Sequence, residues 1–392
     1  MSRLLLNDKR QAADFKMNKN DIIIIHGTDY KQMARKVLER ADLASLIGGR
    51  NKKVALKPNI LGTIRPEAGA TTHTELVCAA IEYLKDNGFS DISIMEGAWV
   101  GDNTQSAFKL LGYDKISEKY GVPLIDLQKD ESVKCDCKGM KINICKSALE
   151  CDFMINMPVA KGHCQTVVTC ALKNNKGVIP NFEKRRFHTL GLDKPIAHLN
   201  TVAKNDLILV DNICGDLDFE EGGNPVYMNR ILAFTDPVLC DSFICESLGF
   251  SKEEVEYIGL AESLGVGSSD TKSANVITIG KAEDSALIPD NGRPGSRVKR
   301  LGAYAAADDA CSACYGQLIY ALNKLDEEGL LRGHEQEIAI GQGFRGNKEA
   351  PYKIGIGNCT SWLDKSLKGC PPKAVDIYNF LKENWKQSEG SI

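Results

Sequence analysis

The 392 residues include 49 Lys and Arg against 52 Asp and Glu. The resulting formal net charge of -3 gives no global attraction to nucleic acid or to an anionic membrane, so any basic site must be local. The length exceeds what one small core requires and implies two or three lobes. The opening stretch, MSRLLLNDKR, has only a brief apolar run, and no later stretch approaches the roughly twenty apolar residues of a membrane span, so the reading is a cytoplasmic protein without a secretory signal or anchor. In that compartment fourteen cysteines point to reduced thiols and metal ligation in preference to a disulfide framework.

In chain order, DIIIIHG (21–27) is a β-branched run ended by glycine and predicts a buried strand, followed by a charged helix to Leu46. VALKPNILG predicts strand then loop, and TTHTELVCAAIEYLKDNGF a helix, with Thr72 and Glu75 as a capping-box pair. DISIMEGA is the next strand, NTQSAFKLLGYDKISEKYG a helical region, and VPLIDLQ a further strand. Strands alternating with helices imply an α/β fold: a mostly parallel sheet with helices on both faces. Period-two alternation over 132–151, centred on Lys138 and Gly139, predicts an inserted β-hairpin. After FMINMPVAKGH a helix is expected near 165–176, then a basic loop with Lys184, Arg185, Arg186 and His188. The strands DLILVDNICGD and RILAFTD follow, then helices to about 265 and the closing strand ANVITIG. The division is 1–50 as an N-terminal strand and helix, 51–280 as the main α/β domain, 281–300 as a linker, and 301–392 as a smaller cysteine-bearing lobe.

In that last lobe Cys311 and Cys314 form a C-x-x-C pair at a helix start, Cys359 ends the strand IGIGN, and Cys370 precedes Pro371 and Pro372, which suit the opening of a further helix. Helix starts favour thiolate over thiol, and four thiolates around one centre describe either structural zinc or a 4Fe-4S cluster.

The remaining polar groups gather at expected strand ends, where open parallel sheets bind ligands. Lys57, Asn59 and His73 follow the first sheet strand, Lys161 and His163 follow INMPVA, and Lys173, Asn174, Arg186 and His188 come next. A set rich in Lys, Arg and His suits a carboxylate, phosphate or sulfonate. His163, with Gly162 allowing close backbone approach, is the candidate for proton transfer together with Lys161. G-Q-G-F-R-G (341–346) lacks a following helix and is not read as a dinucleotide fingerprint, and no Walker phosphate loop, H-E-x-x-H or closely spaced ferredoxin cysteine run is present.

VALKPNILG, TTHTELVCAAIEYLKDNGF, INMPVAKGH with ALKNNKGVIP, RRFHTLG, LVDNICGD and TDPVLCDSFICESLGF together resemble the domain of unknown function 362 family over roughly residues 50–265. That resemblance implies an iron–sulfur protein and favours iron over zinc. Many members carry an added ferredoxin-like module that is missing from this sequence, so the four C-terminal cysteines would have to supply the cluster. The strand–lysine–histidine layout is similar to lactate-racemase-like proteins, which hold nickel through Lys and His, and the GCPP turn resembles cluster-ligating turns of hydrogenase small subunits.

The leading expectation is a 4Fe-4S oxidoreductase or electron-transfer protein, served by a redox partner protein. Lys161, His163, Lys173 and Arg186 would bind a small anionic substrate or cofactor. Two others stand beside it: a lyase or isomerase with an open iron position, and a non-enzymatic anion carrier with structural zinc. A homo-oligomer is compatible with all three.

Overall fold

The computed structural model describes residues 17–220, 222–223, 225–281, 295–347 and 351–389. The polar start through residue 16 and most of the expected linker, 282–294, lie outside the described residues.

The strands in chain order are β1 (Asp21–His26), β2 (Val54–Pro58), β3 (Ile92–Glu96), β4 (Leu124–Asp126), β5 (Ser132–Cys137), β6 (Met140–Cys145), β7 (Phe153–Met157) and β8 (Lys161–His163). They continue as β9 (Val167–Thr169), β10 (Leu207–Asp216), β11 (Pro225–Phe234), β12 (Asn275–Ile279), β13 (Ala305–Ala307), β14 (Ile338–Ile340), β15 (Ile354–Ile356) and β16 (Lys365–Leu367). The main sheet has the order β12-β1-β11-β10-β7-β2-β3-β4. Only β11 runs against the others: it pairs antiparallel with both β1 and β10, and every other pairing in the sheet is parallel.

The alternation that predicted these strands divides two cores between the sheet's faces. Ile22, Ile24, Ala55, Met95, Met154, Ile208 and Val210 face one side, and Ile23, Ile25, Leu56, Ile94, Ile155, Leu207 and Leu209 the other. At about 1.5–3 kcal/mol for each large aliphatic side chain buried, a one-residue register slip would invert both faces at once. The β5–β6 hairpin joins through Lys138 and Gly139, both at positive φ (48° and 92°), a two-residue turn that follows the strand twist. The C-terminal lobe holds a wholly parallel sheet, β13-β14-β15-β16, packed with the helices Ser312–Glu327 and Ala374–Glu389 around its own core.

Four expectations are corrected. Thr72 does not cap the helix Thr74–Asp86: its hydroxyl donates to Met157 O (2.7 Å), and His73 is the N-cap. Among the described residues no side chain caps the first turn; the amide of His73 itself is held by Asp211 of β10, whose carboxylate accepts from it (2.7 Å). The helix expected near 165–176 is instead the β8–β9 hairpin followed by a short helix at Ala171–Asn174, because the β-branched run Thr166–Thr169 pairs back onto Lys161–His163. The basic stretch 184–188 is no loop but the inner part of the helix Asn181–Thr189. Pro371 and Pro372 stand before the last helix, which opens at Ala374, and do not begin it.

Gly162 lets the β8–β9 hairpin lie flush on the chain after β10, since a Cβ there would collide with Leu217 O and come within 2.9 Å of the Asp218 amide. Gly162→Ala is expected to destabilise the protein by about 1–3 kcal/mol through overpacking in urea unfolding, more than Lys141→Ala on the exposed hairpin; equal effects would contradict that packing.

Candidate functional site

Lys57 and Glu96 end the neighbouring strands β2 and β3, and their side chains pair at 2.8 Å with almost no solvent exposure. Burial pushes the Lys57 ammonium down and the Glu96 carboxyl up, and each opposes the other's shift. Such a pair is costly to break, because one charge would be left buried alone. Gly177 closes over it: a Cβ there would run into Glu96 Oε1 and stand 2.6 Å from Lys57 Nζ.

A second buried group centres on Glu220, whose carboxylate pairs with Lys173 and lies 2.8 Å from His163 Nε2. Burial alone would raise the Glu220 carboxyl, but Lys173, His163 and Lys161 together hold it well below the usual range. His163 Nδ1 accepts from the amides of Gln165 (3.1 Å) and Thr166 (3.0 Å), so that nitrogen carries no proton and the neutral ring keeps its hydrogen on Nε2. Burial first, then Lys173, lowers the ring to about 4. The turn between β8 and β9 is strained: Val167, a β-branched residue, sits at φ 63°.

Between these two ion groups lies a narrow cleft of about 60 Å³ lined by Asn59, Glu96, Trp99, Thr169, Lys173, Asn174, Lys176, Lys184, His188 and Glu220. Lys184, expected on a loop, points inward from its helix and donates to Gly97 O and Ala98 O, both at 2.8 Å; burial holds it down to about 8. Lys176 stands 3.4 Å from His188 Nε2, and burial together with Lys173 lowers it to about 7.

Of the residues proposed from sequence, Lys57, Asn59, Lys173, Asn174 and His188 come together at this cleft or directly beneath it. Four do not line it. Lys161 is fully buried and spends its ammonium on Ala70 O and Glu220 O, both at 2.9 Å. His73 sits on Asp211 (2.9 Å), which outweighs the effect of burial and holds the ring up to about 11. Arg186 turns outward to Glu183 and Lys141 O. His163 stands behind Glu220, off the cleft wall. Sequence reasoning missed Glu220, Thr169 and Trp99; Glu220 sits in the run DFEEGG, which looks like a solvated acidic loop.

The four C-terminal cysteines lie in one region of their lobe, with Cys359 and Cys370 in electrostatic reach of Cys314, but among the described residues no three of them bring their sulfurs within 4.8 Å of one another. Cys311 is the N-cap of Ser312–Glu327 and hydrogen-bonds the Cys314 thiol; that bond, against burial, brings Cys311 down to about 6 and drives Cys314 well up, so the pair holds one proton in common. The Cys314 thiol also feels the charges of Cys359 and Cys370. Its sulfur packs against Gly357, where a Cβ would lie only 3.0 Å away. Cys359 lies in the turn after β15 and accepts from Arg345 Nε at 3.4 Å, a cation the sequence reading passed over inside G-Q-G-F-R-G. Cys314 is buried, Cys311 and Cys359 half-buried, and Cys370 exposed. Four soft donors with an arginine beside them fit a metal cofactor.

The two sites are neighbours. Gln165 gives its amide to His163 and its side chain to Ala310 O (2.6 Å), one residue before Cys311. Phe219, next to Glu220, is packed into the C-terminal core edge-on to Tyr320.

Residues 54–246 match the family described as domain of unknown function (DUF362). The chain carries a DUF362 domain. Every candidate in the cleft falls within that segment, and all four C-terminal cysteines fall outside it. The "Thylakoid-associated protein sll1697" of Synechocystis sp. is 22% identical over 250 residues, covering 61% of this chain and 75% of that protein. The lactate racemase apoprotein from Thermoanaerobacterium thermosaccharolyticum superposes with a TM-score of 0.39 and 14% identity, covering 60% of this chain and 59% of its own. Among the described residues no helix is long and apolar enough to cross a membrane.

The two buried histidines should give opposite pH signatures. His163 is lowered to about 4 from 6.5, so an unfolded chain takes up a proton that the folded ring refuses. Stability should then fall as pH drops from 6.5 towards 4, by up to about 3 kcal/mol. His73 is raised from 6.5 to about 11, so its contribution is complete below pH 6.5 and is lost as pH rises towards 11. In urea unfolding against pH, His163→Asn should flatten the acid limb and His73→Asn the alkaline limb; an acid limb unchanged in His163→Asn would contradict the assignment.

Proposed function

We propose that the protein is a 4Fe-4S oxidoreductase or electron-transfer protein acting on a small anionic substrate. The observation that supports this reading is a set of four thiols in one lobe, one of them exposed, tied to the side of the basic cleft through the hydrogen bond from Gln165 to Ala310. Cys311, Cys314, Cys359 and Cys370 would hold the cluster, which would supply single electrons received from a redox partner protein. Arg345, donating to Cys359, would offset negative charge on the thiolates.

The chain's own residues would do the rest. Lys57 and Glu96 fix the floor of the cleft, and Glu220 holds Lys173 at its wall. Lys176, brought close to neutral pH by burial and set beside His188, can hold or release a proton where substrate is reduced. This moves the proton-transfer role from His163, whose ring is neutral and turned to Glu220, to Lys176 with His188.

Single Cys→Ala variants at 311, 314, 359 and 370, purified without oxygen, test the ligand set. Each should lose most of its bound iron and visible colour relative to wild type. One dispensable thiol would replace electron transfer with an open-iron lyase or isomerase. A colourless wild type with one zinc per chain would overturn the redox reading in favour of an anion carrier.

A further inference from the structure

The cleft holds more positive than negative charge. Lys57 is balanced by Glu96 and Lys173 by Glu220. Among the described residues Lys176 and Lys184 have no carboxylate within ion-pair distance: their hydrogen-bond partners are the His188 ring and the carbonyls of Gly97 and Ala98. Lys184 therefore retains one of its three N–H donors. A buried cation without a counter-ion is unfavourable, so the cleft stabilises whatever anion enters it.

A second, independent observation points to the same place. Thr169 is 3% exposed and lines the cleft, and among the described residues its hydroxyl has no hydrogen-bond partner. Buried hydroxyls are rarely left so, and a ligand oxygen would satisfy this one. The charged and titratable groups that share the cleft with Lys176 are Lys173, Lys184, His188, Glu96 and Glu220, with the Cys164 thiol nearby. Counting Lys176 itself, three lysines line the cleft against two carboxylates. A cleft of about 60 Å³ has room for a few water-sized groups, which suits one small headgroup and not a nucleotide.

We propose that this cleft binds a single oxyanion, a carboxylate or a phosphate group, gripped by Lys176, Lys184 and His188 and oriented by the Thr169 hydroxyl. The proposal rests on the anionic-substrate part of the function proposed above and is independent of the metal. Ammonium groups supply charge without a fixed fork, so the geometry of recognition falls to Thr169 and the Asn59 amide.

The test is isothermal titration calorimetry on the full chain, with sodium acetate and inorganic phosphate as separate probes at constant ionic strength. One-site binding of at least one probe is expected, and which probe binds distinguishes a carboxylate from a phosphate ligand. Lys176→Met and the near-isosteric Thr169→Val should each weaken it tenfold or more, while Arg185→Gln, on the exposed face of the same helix as Lys184, should leave it unchanged. Absence of saturable binding for both probes, unchanged affinity in both cleft variants, or equal weakening in Arg185→Gln would overturn the proposal. Metal content of the same samples separates the two claims. Anion binding by a zinc protein would uphold the site and sink the redox reading, and an iron–sulfur protein that binds neither probe would do the reverse.

Discussion

The Glu220 carboxylate joins the parts of this molecule. It takes Lys173 from the helix after β9, stands against His163 at the end of β8, and rides on a loop whose neighbour Phe219 is sunk in the C-terminal core. The carboxylate is half-buried, and its buried partners Lys173 and His163 depend on it more than it depends on them. Its removal would leave Lys173 buried without a counter-charge and loosen the loop that places the cysteine lobe beside the cleft. The Lys57–Glu96 pair plays the matching part at the cleft floor, with Gly177 the residue whose lack of a side chain lets the backbone close over it.

Around these pairs the architecture divides the work by distance from solvent. The parallel strands bring Lys57 and Glu96 to one end of the sheet, as open α/β sheets do for their ligands. The cysteine lobe contributes soft donors from the turns around β15 and β16 and from a helix start. Between them, Gln165 links the His163 turn to the residue before Cys311. Strain at Val167 in that same turn is consistent with a backbone held by its surroundings at a working site.

The sheet was legible in the sequence because β-branched runs such as DIIIIHG and DLILVDNICGD must alternate between two cores, and the Lys138–Gly139 turn announced its hairpin through residues that accept positive φ. That Cys311 stands at a helix start and Cys359 after a strand was legible as well. Local pattern failed where a distant group decides. Asp211, from a strand more than a hundred residues on, holds the amide of the N-cap His73 while Thr72 turns to Met157, and β8 captured a stretch whose apolar content fitted a helix equally well. Lys184 and Arg186 are two positions apart on one helix, yet one is buried on the carbonyls of Gly97 and Ala98 and the other turns to the surface; KRR contains nothing that orders them. The acidic look of DFEEGG likewise concealed the carboxylate on which the site turns.

The proposed function makes the thiol centre and the basic cleft one working unit. Electron paramagnetic resonance of anaerobic protein reduced with dithionite, recorded before and after saturation with the anion that the cleft binds, tests it most directly. The account predicts a signal of about one spin per chain from a reduced 4Fe-4S cluster, with a line shape that changes when the anion is added. A protein with no paramagnetic signal, or a cluster signal identical with and without bound anion, would contradict it.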